Sequence, residues 1–185
     1  MTGSPASSLG TERSTPVEVR RLLYTDLPQV IAIERRVFPT PWSLAMFVLE
    51  LSKPSGICLA ALRGELLVGY LVCSHYDIVW HLMNVAVDDR LRREGIAEAL
   101  MDRLFELADQ PGEQYTLEVR TSNHAAIRLY EKRGFEAAGH RRGYYHDNRE
   151  DAVIMWRTVP GEARDEGDLD QDSALARRPA EGFGA

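Results

Sequence analysis

From Asn84 to Ala97 the chain reads Asn-Val-Ala-Val-Asp-Asp-Arg-Leu-Arg-Arg-Glu-Gly-Ile-Ala: a strand-like run, a loop carrying Arg90, Arg92 and Arg93, and a small-residue start to a helical pattern at Gly95-Ile96-Ala97. That order suits anion binding. Small residues let the backbone approach a ligand closely, and the unpaired N–H groups of a first helical turn, backed by the positive end of the dipole, bind phosphate. A solvated arginine loop closed by a glycine turn has the same spacing, and spacing alone does not separate the two readings. The Gly-Lys-Ser/Thr ending of a nucleoside-triphosphate loop is missing.

Other reactive residue types give weaker signals. Cys58 and Cys73 lie inside apolar strand-like segments, away from any Cys-x-x-Cys or metal spacing, and read as reduced core thiols. His75, His81, His124, His140 and His146 are scattered without metal-ligand spacing; they read as structural or surface residues, and no metal is expected. Phe38-Pro39-Thr40-Pro41-Trp42 must be a stiff non-helical turn, because each proline biases its predecessor away from the helical region. Its aromatics either seal the core or wall a ligand site. Tyr144 and Tyr145 fall in a polar Arg-Arg-Gly-Tyr-Tyr-His-Asp-Asn loop with little core to fill, which favours a functional use.

These residues must be positioned by a domain of ordinary size. The 185 residues, 44% hydrophobic and 27% charged, suit one soluble globular domain with tails. The apolar stretches are too short to cross a bilayer, and residues 1–15 lack the basic start and apolar run of a secretory signal, so a cytoplasmic protein is expected. The net charge of -6 is concentrated in residues 158–185 and gives no support to nucleic-acid binding. Residues 1–15 and 158–185 read as disordered tails, the latter acidic, leaving 16–157 as the domain. Within it, strand-like alternation covers residues 17–22, a helix capped by Thr25/Asp26 follows, and Ser43 caps a second helix. Residues 57–62 and 66–74 flank a hairpin turn at Arg63-Gly64-Glu65. A strand over 78–87, a helix over 95–108, a strand over 115–119, a helix over 123–132 closed by Gly134, and strands over 135–142 and 152–157 complete a β-α-α-β-β-β-α-β-α-β-β order, an α/β fold.

At the loop the chain resembles the GNAT family of N-acetyltransferases, whose acetyl-CoA motif, Gln/Arg-x-x-Gly-x-Gly/Ala after a strand, is matched by Arg92-x-x-Gly95-x-Ala97. The resemblance runs through Leu117-Glu118-Val119-Arg120-x-Ser122-Asn123, Ala125-Ala126-Ile127-x-Leu129-Tyr130 and Gly134-Phe135. With the Phe38 to Trp42 turn upstream and Arg141-Arg142-x-Tyr144-Tyr145 and Glu150-Asp151-Ala152 downstream, it is close to the RimI-type ribosomal-protein-alanine acetyltransferases and covers residues 17–157.

The resemblance implies a single GNAT-like domain whose mixed, mostly antiparallel sheet splays between its fourth and fifth strands, with helices on both faces. It implies that the backbone of Val85, Ala86 and Val87 pairs with the pantetheine arm of acetyl-CoA. Arg92, Arg93, Glu94, Gly95, Ile96, Ala97 and Glu98 would hold the pyrophosphate, and Asn123 would reach the cofactor. Glu118 would take the proton from the attacking amine and Tyr130 would supply a proton to the leaving thiolate; alone, they read as an exposed strand glutamate and a core aromatic. Phe38, Pro39 and Trp42 would face Tyr144 and Tyr145 across the peptide entrance. The expected activity is direct acetyl transfer to a protein N-terminus, foremost the alanine of a small-subunit ribosomal protein, by a monomer or weak oligomer with no nucleic-acid or membrane partner. A lysine or small-amine acetyltransferase of the same fold, or a non-catalytic acyl-CoA-binding module, are the alternatives.

Overall fold

The computed structural model describes residues 16–161. The tail assignments for 1–15 and for 162–185 lie outside those residues. Seven strands, β1 (Glu18–Arg21), β2 (Gly56–Arg63), β3 (Leu66–Tyr76), β4 (Val79–Val87), β5 (Gln114–Arg120), β6 (Glu136–Tyr145) and β7 (Glu150–Thr158), form one sheet in the order β1-β2-β3-β4-β5-β7-β6. Four α-helices connect them: α1 (Leu27–Val37), α2 (Leu44–Ser52), α3 (Ile96–Ala108) and α4 (His124–Lys132). Every strand pair is antiparallel except β4 with β5. The order and type of the elements match the sequence expectation; β7 carries on to Thr158, one residue past the expected domain boundary.

Side-chain alternation along the central strands divides the interior into two cores. Ile57, Leu59 and Ala61 of β2 with Leu71 and Cys73 of β3 face α3 and α4, where Leu100, Met101, Leu104 and Tyr130 are buried against them. Cys58, Ala60 and Leu62 with Tyr70 and Val72 face α1 and α2 and bury Val30, Ile33 and Phe47. A strand with apolar residues on both faces must be covered on both, which puts helices on either side of the sheet. The two thiols therefore sit in opposite cores, and burial pushes the Cys58 thiol up to about 11 and the Cys73 thiol well above its ordinary value. Both stay protonated and inert, as the sequence suggests.

Local caps follow the sequence with one exception. Ser43 Oγ accepts from Met46 N at the start of α2, and Gly134 takes φ +83° just after α4. Asp26, expected as a helix cap, instead accepts two hydrogen bonds from the Arg20 guanidinium and one from Leu23 N. A charged bidentate partner outcompetes a helical N–H for the same oxygens.

The feature that matters for function is where β4 and β5 part. Their pairing consists of Val79↔Gln114, Trp80↔Tyr115 and His81↔Thr116, and it stops there although both strands continue. On its other edge β4 slips register against β3 between Cys73↔Leu82 and Val72↔Asn84, leaving Met83 as an extra residue. A bulge bends its strand and increases the twist, so β4 turns away from β5 just beyond His81. Gly69 of β3 then lets α3 settle against the bent strand: a Cβ there would lie 2.9 Å from Ala86 O and 3.1 Å from Ile96 Cγ2.

Candidate active site

The divergence opens a cleft of about 460 Å³. Its floor is Leu82, Met83, Asn84 and Val85 of β4 and Leu117, Glu118, Val119 and Arg120 of β5. One wall is Phe38, Pro39, Pro41 and Trp42; the other is Tyr144, Tyr145, His146 and Asp147, with Ala126 and Tyr130 of α4 and Asn123 just before it closing the end. The cleft thus gathers Glu118, Tyr130, Phe38, Pro39, Trp42, Tyr144, Tyr145, Val85 and Asn123 from segments far apart in sequence. Ala86, Val87 and Arg92 to Glu98 do not line it; they continue along the end of β4, the adjoining loop and the first turn of α3.

Glu118 points away from the buried Leu117 and Val119, as strand alternation requires. Both its oxygens are engaged: His81 Nε2 lies 2.8 Å from Oε2, and Arg141 Nη1 donates to Oε1 at 3.1 Å. The hydrogen bond from His81, then its charge and that of Arg141, outweigh burial and hold the carboxyl below its ordinary value. An ionised carboxylate only accepts hydrogen bonds, so the proton of this contact belongs to His81 Nε2. Tyr130 is buried beside Phe135, and burial raises its hydroxyl far above the ordinary tyrosine value. It is a neutral O–H donor at any physiological pH.

The two walls are held by different devices. Glu34 of α1 is buried; Oε1 accepts from Trp42 N at 2.7 Å, and Oε2 accepts from the Tyr70 hydroxyl and from Asn84 Nδ2 at 3.3 Å. The carboxylate pins the proline turn to the sheet, while Trp42 packs on Phe47 at 5.3 Å between ring centroids. Opposite, the Arg120 guanidinium lies 3.9 Å from the Tyr145 ring centroid and donates to Asp147, Asn148 and Glu150, tying down the β6–β7 connection. Tyr144 and Tyr145 were expected in a loop; they are the last residues of β6, because Tyr145 pairs with Glu150 past a register shift after Arg141, and Gly143 takes φ +59° within it. Their rings meet edge-on at 5.1 Å.

The loop after β4 is braced before α3 begins. Asp88 is buried, and its carboxylate accepts from Arg90 N, Nε and Nη2 and from Arg36 Nη2 at 2.6 Å. The Arg90 hydrogen bond leads the causes that hold it far below the ordinary carboxylate range. Arg90 is therefore committed to the loop's own scaffold, whereas Arg92 and Arg93 are exposed. Arg93 and Gly95 take φ +67° and +77°, so the chain enters α3 through two left-handed residues on either side of Glu94. Asn123 Oδ1 accepts from Ala126 N at 3.2 Å as the cap of α4, a structural duty beside its place in the cleft.

Sequence reading missed three residues here. His81 was expected to be structural or surface and instead contacts Glu118, while Glu34 and Asn84 were not singled out. Glu34 interrupts the apolar stripe of Val30, Ile33 and Val37, and His81 interrupts an apolar strand; both anomalies are visible in the sequence. Among the described residues no group of His, Cys, Asp and Glu could hold a metal, and no helix is long and apolar enough to cross a membrane.

Comparison with known proteins agrees with this geometry. The model of the acetyltransferase (GNAT) family matches residues 27–135. A Bacillus subtilis protein is 35% identical over 149 residues, 78% of this chain and 97% of its own length. The [ribosomal protein bS18]-alanine N-acetyltransferase of Escherichia coli is 37% identical over 134 residues, 71% of this chain and 90% of its own length. The crystal structure of the Escherichia coli ribosomal-protein-S18-alanine N-acetyltransferase superposes with a TM-score of 0.73 at 33% identity, covering 80% of this chain and 99% of that one. Arabidopsis thaliana NAA60 in complex with acetyl-CoA shares the fold, with a TM-score of 0.69 at 20% identity over 78% of this chain and 100% of its own. The splayed sheet, the cleft and these matches together place the chain in the GNAT family of acetyltransferases, among its RimI-type members.

Proposed function

We propose that the protein transfers the acetyl group of acetyl-CoA to the N-terminal α-amine of a protein, with the N-terminal alanine of a small-subunit ribosomal protein as acceptor. The observation that carries this reading is the convergence of Glu118 and Tyr130 in one cleft at the β4–β5 divergence. Beyond His81 the edge of β4 toward β5 has no strand partner among the described residues, so the backbone of Val85, Ala86 and Val87 is open to pairing with the amides of a pantetheine arm, while their side chains pack in the two cores. Arg92, Arg93 and the small-residue start of α3 would hold the pyrophosphate. When bound, acetyl-CoA supplies a thioester-activated acetyl group.

The chain's own residues do the rest. An α-amine has a pKa of about 7.7–8.0, so a fraction is neutral near pH 7, and Glu118 takes up its proton as the new C–N bond forms. Held ionised by His81 and Arg141, Glu118 is always ready to accept. The Tyr130 hydroxyl donates to the sulfur that leaves. Phe38, Pro39 and Trp42 and, from β6, Tyr144 and Tyr145 line the same cleft, and an entrance bounded by these bulky side chains would suit a chain end with a small first side chain. Mass spectrometry of protein N-termini from cells with and without the protein tests the proposal: loss of acetylation at a ribosomal-protein alanine supports it, and an unchanged N-terminal profile with lost lysine acetylation overturns it.

A further inference from the structure

Arg63 ends β2 beside the Gly64 turn, yet its side chain is only 8% exposed. Its Nη2 donates to Glu94 Oε2 at 2.6 Å, while Nε and Nη1 are buried without an acceptor among the described residues. A buried cation is expected to have its donors satisfied, so a single carboxylate contact leaves this one only partly compensated. Its partner occupies a sensitive place. Glu94 lies between the left-handed Arg93 and Gly95, in the loop that enters α3. A carboxylate there opposes a bound pyrophosphate unless its charge is held and neutralised.

We infer that Arg63 is a positioning residue of the cofactor loop: by tying down Glu94 it fixes the entry into α3, and it leaves the loop with net positive potential toward the pyrophosphate. The inference deepens the proposed function and rests on its assignment of acetyl-CoA to this loop. Neither Arg63 nor its pairing is part of the Arg92-x-x-Gly95-x-Ala97 motif, and the two residues stand 31 positions apart.

Two acetyl donors separate this role from a purely structural one. Acetyl-CoA carries the pyrophosphate; S-acetylpantetheine carries the thioester without it. The first measurement is calorimetric binding of coenzyme A to the unaltered protein, and absence of binding there refutes the cofactor assignment itself. Given binding, Arg63→Met is expected to weaken coenzyme A about tenfold and to raise the KM for acetyl-CoA, with kcat/KM for S-acetylpantetheine unchanged. Adding Glu94→Gln to Arg63→Met removes the unneutralised carboxylate and is expected to restore most of the affinity. Unaltered coenzyme A binding in folded Arg63→Met, an equal loss with both donors, or no recovery in the double variant would overturn the inference. If Arg63→Met does not fold, Arg63→Lys keeps the charge but has a single-point head group; a loss confined to acetyl-CoA supports the role, and an equal loss with S-acetylpantetheine refutes it.

Discussion

His81 Nε2 lies 2.8 Å from Glu118 Oε2, and this contact runs from the last paired residue of β4 to a residue of β5 two positions beyond its rung partner Thr116, bridging the strands where they begin to part. The proposed base therefore sits at the apex of the cleft, anchored from the neighbouring strand rather than from its own. Because the His81 hydrogen bond leads the causes that lower its pKa, Glu118 is ionised well below neutrality and does not limit the reaction by its own titration.

The pH dependence follows. kcat/KM should rise with pH along the titration of the acceptor amine, with a midpoint of about 7.7–8.0 for a peptide α-amine, and show no step attributable to Glu118 above pH 5. Glu118→Gln should lower the rate at pH 7 by about 10²–10⁴-fold, and the deficit should shrink above the amine's pKa. Initial rates from pH 6 to 9.5 check this; a wild-type profile that titrates with the enzyme rather than with the amine, on two amines of different pKa, would refute it.

Tyr130 is buried and its hydroxyl stays protonated. Tyr130→Phe removes one O–H from a packed ring, so turnover should fall about 10²-fold or more while coenzyme A affinity stays within a few fold. Equal losses in turnover and affinity would instead mark the hydroxyl as a binding group.

Gly95 takes φ +77°, and a Cβ there meets no atom within 4 Å. The strain of Gly95→Val is therefore conformational, about 1–3 kcal/mol, and the protein should remain folded. Entry into α3 must change, so coenzyme A affinity should drop at least tenfold. Calorimetry beside a urea unfolding curve separates the two effects, and unchanged affinity would move the phosphate site elsewhere.

Asp88 joins α1 to the β4–α3 loop through Arg36 and Arg90. Its carboxyl is depressed below the ordinary 3.8, so its stabilisation is fully present above that value and fades as pH falls through the folded-state value. Both arginines are substantially exposed, which limits the cost of Asp88→Asn to about 1–3 kcal/mol at pH 7. Urea midpoints for the two proteins should differ by a steady amount from pH 7 down to about pH 4, and the gap should narrow progressively below that, with most of it still present at pH 3; a gap that stays constant down to the lowest pH at which the proteins fold would show that the carboxylate charge is not the cause.

Much of this architecture is legible in the sequence. Alternation and caps give the order of the strands and helices, because each depends on neighbours a few residues away. The Arg92 to Ala97 motif and the stretch from Leu117 to Phe135 point to the cleft, the splay and the two proposed catalytic groups. What stayed hidden was pairing between distant side chains: Glu34 with Tyr70, His81 with Glu118 and Arg63 with Glu94 are 36, 37 and 31 residues apart. The bulge at Met83 that bends β4 was hidden too, since it depends on register against β3 and not on any glycine or proline in β4. Tyr144 and Tyr145 read as loop residues because β6 stays mostly exposed up to its end, so no apolar alternation marks it as a strand.

The central claim is that the acceptor is a chain terminus. Its most direct measurement compares turnover of an Ala-Arg-Tyr-Phe-type peptide having a free N-terminus with the same peptide blocked at its N-terminus and carrying an internal lysine, both with acetyl-CoA. Acetylation of the free terminus at least a hundredfold faster is the predicted result. Equal or faster acetylation of the blocked peptide would contradict the account and make the protein a lysine acetyltransferase of the same fold.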